Sequence, residues 1–419
     1  DRCEAFRRAS IRLPSLPVLP MIRASVHLLF LAALVAGVYG PAPDVRVGPF
    51  LQDAEPTSVW VVWETTGDAP SEVRYGRSSA TKKVARGESV AGHEGSRIHH
   101  VQLTGLKPDA THYYSIDAEG ARGKSHRFRT PPPRDRGESF RFAVYSDTQS
   151  GPDAKKHTEV INEGVIRFIK SEFGSQLPDE LAFSLIPGDL VNAGSNYGEW
   201  KDQFFDEEQN LAQHVPLYPV PGNHEQDARL YYDYMSLPAP ERWYSLRYGS
   251  AEFFMIDGNR SLAQQSEQLA WLEEALSASK AKWRFAVLHQ PPYTSDSNDY
   301  GDTTKTSSTR GDMNVRNIVR LLEKHGVDIC FSGHVHDYER TFPIKGGEVL
   351  PHQDGGVLYI TAAGGGGSLE DFDGTNTWFG NRKARRHHYL HVAILGDDLE
   401  LQAMDEDGRV FDTLRLEAR

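Results

Sequence analysis

Cysteine is nearly absent from this 419-residue chain; only Cys3 and Cys330 occur. Cys3 falls in a stretch that reads as a leader, which leaves Cys330 alone. The mature chain is therefore expected to carry no internal disulfide and no cysteine-held zinc. Any metal must be bound by His, Asp, Glu, Asn or Gln, donors that suit Zn, Fe, Mn or Mg. Positive charge is also in deficit: 46 Lys and Arg stand against 58 Asp and Glu, a formal net charge of -12. That argues against a general nucleic-acid binder, because phosphate backbones call for basic surface. Long apolar runs are missing too. The longest, Val26 to Val38, is about 13 residues, short of the roughly 20 that a membrane span needs. It follows Arg23 and precedes small residues, in "MIRASVHLLFLAALVAGVYGPAPD". This is the pattern of a signal peptide starting at Met21 and cleaved near Gly40. A retained N-terminal anchor is the alternative. Residues 1–20 read as sequence upstream of the start, and the expected destination is secreted or periplasmic.

What is present is an ordinary globular composition, 39% hydrophobic and 25% charged, with length for two or three domains. Residues 41–130 read as all-β. "SVWVVWET", "SEVRYG", "HHVQLTGL", "THYYSIDA" and "KSHRFRT" are short β-branched or aromatic runs separated by Gly, Pro and Asp turns. That spacing suggests a small β-sandwich. "TPPPRDRGES" then supplies a stiff linker, because prolines offer no ladder N–H. The linker proper is assigned to 131–138.

From Ser139 to the end, 139–419, strands alternate with helical patterns, the mark of an α/β sheet. "FRFAVYSD" ends in Asp147 and "LAFSLIPGD" in Asp189. "VPLYPVPGNHE" ends in Asn223 and His224, "WRFAVLHQ" in His289, and "VDICFSGHVH" in His334 and His336. Helical spacing runs through "HTEVINEGVIRFIKSEF", "SEQLAWLEEALSAS" and "VRNIVRLLEKHG". The tail is β-rich and is expected to complete the same domain. In open α/β sheets, ligands collect beyond the strand ends. Each element alone has an ordinary explanation, such as a helix cap, a Gly-Asp turn or a packed histidine. Five strand ends bearing metal-competent residues do not. If the segment around Val335 is extended, His334 and His336 point the same way.

Taken in order, Asp147, Gly188-Asp189, Gly222-Asn223-His224, His289 and Gly333-His334-Val335-His336 resemble the calcineurin-like metallophosphoesterase superfamily. "VPGNHE" and "FSGHVHDYER" are similar to the signatures of its purple acid phosphatase-like branch. "LKPDATHYYSI", through Leu106, Pro108, Thr111 and Tyr113, resembles the corner of the fibronectin type III-like domain that precedes the catalytic one there. The resemblance implies an N-terminal β-sandwich followed by a domain of two packed sheets flanked by helices. It also implies a centre of two metal ions. Asp189 would bridge them, Asp147 and His336 would hold the first, and Asn223, His289 and His334 the second. His224 would face the substrate phosphate and assist the leaving group. The physics is compatible: two ions lower the pKa of a shared water and clamp the phosphoryl oxygens. Asp337 and Glu225 are candidates for orienting the ligands.

The chain departs from that pattern in three places. Where the purple enzymes carry a tyrosine, three residues after the bridging aspartate, stands Asn192. Where other branches place a histidine, two residues after the first aspartate, stands Gln149. Either amide is a candidate further ligand, and the first metal is not expected to be tyrosinate-bound Fe(III). In the loop beyond His289, Pro291 and Tyr293, where the family has substrate-side histidines, stand Asn298 and Asp299. They read as ordinary loop residues, though acidity there favours phosphodiesters over dianionic monoesters. The tripeptide Arg310-Gly311-Asp312 is assigned no function. Two functional readings remain. One is a secreted phosphoesterase acting on monoesters, diesters or both, with nucleotides the only nucleic-acid-like partners and no stable membrane span after leader cleavage. The other is an accessory protein that attaches to a polymer or cell surface through the sandwich, with a weakened metal site.

Overall fold

The computed structural model describes residues 43–118, 124–134, 136, 139–149, 156–174, 176–296, 312–372 and 377–419. The expected leader, Asn298, Asp299, Arg310 and Gly311 lie outside the described residues.

The N-terminal β-rich sequence forms two four-stranded antiparallel sheets. In Thr111–Ile116, half-buried and buried residues alternate, as in a strand with one face on a core. Val59, Val61 and Trp63 of one sheet share that core with Tyr114, Ile116 and Phe128 of the other. Burying such side chains contributes roughly 1.5–3 kcal/mol each. Two edge strands, Lys83–Arg86 and Glu88–Ala91, gave no signal in the sequence because most of their residues face water. Of the residues that carry the resemblance to a fibronectin-type corner, Leu106 is buried and Tyr113 half-buried, and the neighbouring Tyr114 faces the core. Its hydroxyl donates to the carbonyl of Gln213 at 2.9 Å.

Beyond the proline run, a six-stranded and a seven-stranded mixed sheet face each other. Phe142 of the first sheet sits with its ring centroid 5.2 Å from Phe253 and 5.8 Å from Phe285 of the second, edge to face. Aromatic pairs prefer such offset geometry. Residues of both sheets belong to one continuous core. Of the expected helices, Glu267–Ala278 forms as read. Ser266 caps it, its hydroxyl accepting the Leu269 N–H at 3.3 Å. The helix expected from His157 to Phe173 is α-helical at Lys156–Thr158, widens to a π-type helix over Glu159–Ile166 and is α-helical again at Arg167–Phe173.

Strands that the sequence reading missed complete the second sheet. Tyr244–Tyr248 and Ala251–Met255 form a hairpin around Gly249, at φ 54°. Tyr338–Thr341 is fully buried despite its polar composition. Arg340 donates to both carboxylate oxygens of Asp412, at 2.7 and 3.0 Å, and Tyr338 donates to one of them at 2.7 Å. A strand whose buried polar residues are mutually satisfied carries no apolar signature.

Phe140–Val144, Phe183–Ile186 and Leu217–Pro219 run parallel in the first sheet. Ala251–Met255, Trp283–Val287, Ile329–Ser332 and Leu358–Ala362 run parallel in the second. Their C-terminal ends therefore feed loops on a common side, where the metal-competent residues stand.

Candidate metal centre

Three of these residues leave their strands through a left-handed backbone: Asp147 at φ 58°, Asp189 at φ 53° and His334 at φ 76°. Such conformations are costly for non-glycine residues and persist where the surroundings hold them in place. Here main-chain hydrogen bonds do so. Asp147 N–H donates to the Gly188 carbonyl at 3.2 Å, and Asp147 takes the His334 N–H on both carboxylate oxygens, at 3.0 and 2.9 Å. Asp189 accepts the His224 N–H at 2.9 Å. Each loop is thus braced by the next.

The imidazoles are aimed by their outer nitrogens. His289 Nδ1–H donates to the Pro187 carbonyl at 2.8 Å, leaving Nε2 for the site. That Nε2 lies 3.1 Å from Asp189 Oδ2, 3.0 Å from Asn223 Oδ1 and 3.1 Å from His334 Nδ1. Asp189, His289 and His334 form a group able to hold a metal ion, with donor atoms within 4.8 Å of one another. His336 Nδ1–H donates to the Ser368 carbonyl at 2.8 Å, and its Nε2 faces Asp147 Oδ1 at 3.4 Å and Gln149 Nε2 at 3.2 Å. Holding the outer nitrogen to a carbonyl fixes tautomer and orientation, as ligating histidines require.

His334 and His336 are thus divided between two sets of donors, but not by strand alternation. The extended reading of this segment is corrected: Gly333 to Asp337 form consecutive tight turns, with Val335 N–H donating to the Gly333 carbonyl at 3.0 Å. Val335 is buried between the two histidines. Gly333 has no room for a side chain. A Cβ there would collide with Ser146 Oγ, come 2.5 Å from Asp147 Oδ2 and 2.8 Å from the Pro187 carbonyl. Gly333→Ala is expected to displace Asp147 and lower kcat by about tenfold or more, with a stability loss of about 1–3 kcal/mol. Steady-state kinetics alongside urea unfolding would check both.

Charge in the site is unevenly held. Burial pulls the His289 pKa down, but Asp189 outweighs it and lifts the group to about 10. Burial likewise lowers His336, and Asp147 reverses this, raising it to about 9. Burial and then the neighbouring His289 depress His334 to about 4. The carboxylates thus demand positive charge, which protonated imidazoles supply when no cation does.

The other residues singled out in the sequence fall around this core. His224 Nδ1–H donates to the Asn192 main-chain carbonyl at 2.6 Å. Its Nε2 faces the centre, 3.9 Å from Asp189 Oδ2. The Asn192 side chain turns to Gln203 Oε1 at 3.3 Å. Gln149 Oε1 is buried and has no hydrogen-bond partner among the described residues. An orphaned acceptor beside two carboxylate- and imidazole-bearing loops, within an all-oxygen-and-nitrogen donor set, fits a hard or borderline cation.

Glu225 fastens the loops together. Its Oε2 accepts Asp189 N–H at 2.9 Å and Gly222 N–H at 2.6 Å, and its Oε1 accepts Leu190 N–H at 2.8 Å. Burial and then Asp189 raise its pKa to about 8. The Asp337 carboxylate has no hydrogen-bond partner among the described residues. Burial, followed by Glu339, pushes its pKa well up. The orienting role falls instead to Glu370, whose carboxylate accepts the His336 N–H at 3.1 Å. The sequence offered no sign of Glu370, 34 residues downstream. The four-glycine run contributes as well: Gly365 N–H donates to Ser146 and Gly367 N–H to Asp147, at 2.9 and 2.8 Å, through their main-chain carbonyls.

Two facing mixed sheets with this donor set at their strand ends define a metallophosphoesterase, a hydrolase of phosphate esters. Family comparison agrees. Residues 140–338 match the calcineurin-like phosphoesterase family and residues 47–130 the purple acid phosphatase N-terminal domain. The chain belongs to the calcineurin-like phosphoesterases, on their purple acid phosphatase-like branch.

Purple acid phosphatase 21 of Arabidopsis thaliana is 29% identical over 328 residues, covering 72% of this chain and 67% of the relative. Purple acid phosphatase 18 of the same plant is 26% identical over 385 residues, covering 83% and 80%. Another similar Arabidopsis protein is named probable inactive purple acid phosphatase 27, at 24% identity over 75% of this chain and 57% of that one. The purple acid phosphatase from yellow lupin (Lupinus luteus) seeds superposes with a TM-score of 0.74, covering 90% of this chain and 74% of that one at 20% identity. PhoD superposes at 0.63 with 12% identity, covering 91% of each chain. These structural likenesses speak to the fold. Among the described residues no helix is long and apolar enough to cross a membrane.

Proposed function

We propose that this protein is a secreted, two-metal phosphoesterase acting on phosphate monoesters and diesters. The convergence of Asp189, Asn223 and His334 on one nitrogen of His289 carries this reading, with Asp147, His336 and Gln149 grouped beside it. Asp147 and His336, with Gln149 completing the set, would hold one ion. Asn223, His289 and His334 would hold the other, and Asp189 would serve both. When bound, such ions supply a nucleophilic water at neutral pH and charge that stabilises the phosphoryl oxygens.

The chain's own residues do the rest. His224 has committed Nδ1 to a carbonyl, so Nε2 is the atom that delivers a proton to the departing alkoxide. Glu225 and Glu370 keep Asp189 and His336 in register. Residues 41–130 act as the sandwich, joined by 131–138 to the catalytic 139–419, and Val47, Phe50, Val62 and Ile98 of its sheets pack into the catalytic core.

The test is hydrolysis of bis-p-nitrophenyl phosphate and p-nitrophenyl phosphate by the metal-loaded wild type and by His334→Ala. Turnover that the substitution removes supports the proposal. Equal residual rates in both proteins sink it and favour the accessory reading, for which the probable inactive relative is a precedent in name. With Asn192 turned away to Gln203, no phenolate is expected on the metals. The iron-loaded protein should lack a strong visible tyrosinate charge-transfer band. An intense visible band in the as-isolated protein would contradict that assignment.

A further inference from the structure

A cleft of about 690 Å³ opens between the N-terminal sheets and the loop that follows Asp189. Arg46, His93 and Glu94 line it from one side, and Ser195, Tyr197 and Arg229 from the other. The cleft wall is hydrogen-bonded to the segment that carries His224. Gly194 N–H donates to the His224 carbonyl at 2.7 Å, and Ser195 Oγ donates to Gln226 Oε1 at 3.1 Å. The space therefore adjoins the segment that carries His224, the residue proposed to protonate the leaving group.

Its charges are not all spoken for. Arg229 is paired with Asp233 at 3.1 Å, and His93 lies 3.7 Å from Glu94. The Arg46 guanidinium lies over the Tyr197 ring, 4.3 Å from its centroid. Its Nε is buried without a hydrogen-bond partner among the described residues. The ring beneath it is held in place, because Tyr197 donates to Glu64, which also takes the Tyr234 hydroxyl at 2.9 Å. An arginine seated over an aromatic face can still offer guanidinium N–H donors to an oxyanion. It is here a fixed cation facing a polar cleft.

We propose that this cleft is a leaving-group subsite, with Arg46 receiving a second phosphate on the substrate's alcohol portion. The preferred substrates are then organic bisphosphates rather than simple monoesters. This rests on the phosphoesterase reading above. It adds that the N-terminal sheets take part in substrate choice.

The test compares hexane-1,6-diol bisphosphate with hexyl phosphate, as the ratio of kcat/KM per hydrolysable phosphate, using the metal-loaded full chain. The wild type is expected to favour the bisphosphate about fivefold at low salt, the scale of a partly exposed ion pair, and less at high salt. Arg46→Gln should bring the ratio close to one, and Arg46→Lys, which keeps the charge, should retain a preference. Thermal unfolding of each variant separates this from a folding defect, because the ratio is insensitive to the fraction of folded enzyme. A wild-type ratio of one, or a preference that survives Arg46→Gln, overturns the subsite while leaving the phosphoesterase intact. A wild type that hydrolyses neither ester overturns both.

Discussion

Asp189→Asn is expected to lose about 10³-fold in kcat/KM, roughly 4 kcal/mol of transition-state stabilisation, while the fold survives. Asparagine is nearly isosteric, and its carbonyl oxygen can still accept the His224 N–H that Asp189 Oδ1 takes now. What disappears is the second anionic oxygen. At 3.1 Å from His289 Nε2, that position would carry an NH₂ group, which offers no lone pair to a cation. It would also press a donor toward the nitrogen on which Asn223 and His334 converge. Both proposed ion positions lose a shared ligand at once, so KM and kcat should worsen together. Kinetics on p-nitrophenyl phosphate, with circular dichroism to verify the fold, would check this. A loss under tenfold would show that Asp189 is not shared by the two positions.

Glu225→Ala should be the most destabilising single change near the site, by about 3–5 kcal/mol. One carboxylate satisfies the N–H groups of Asp189, Leu190 and Gly222, and all three lie in buried backbone. Alanine leaves three orphaned donors, each costing about 1–3 kcal/mol before relaxation. Glu225→Gln should be milder. Its remaining oxygen can serve the two donors now on Oε2, while its NH₂ meets the Leu190 N–H with no acceptor. Urea midpoints at constant slope should therefore rank wild type, Gln, then Ala. If Gln and Ala lose equally little, Glu225 does not brace the loops.

Much of this centre was legible in the sequence, and for a physical reason. Parallel strands of a two-sided core are nearly pure apolar runs, so the polar residue ending each one stands out. Asp147, Asp189, Asn223, His289 and His334 were visible in that way. How His334 and His336 come to be divided was not. Strand alternation would have kept them together, whereas the chain makes tight turns through a left-handed His334 that Asp147 stabilises. That contact joins residues 187 positions apart, and no local pattern encodes it. Glu370 escaped notice for the same reason. Tyr338–Thr341 escaped because its buried Arg340 is neutralised by Asp412, far downstream. Asn192 and Gln149 could be noticed as departures from a family pattern. Only the structure distinguishes an amide turned to Gln203 from one buried beside His336 with an oxygen to spare.

The central claim is that one His-x-His pair serves two metal ions, and metal stoichiometry tests it most directly. Metal per chain would be measured by plasma mass spectrometry on wild type, His334→Ala and His336→Ala, each loaded identically and freed of loose ions. The account predicts two ions in the wild type and close to one in each variant, with the wild-type turnover lost in both. A wild type holding a single ion that both substitutions remove would mean that the two histidines grip the same metal, and would contradict it.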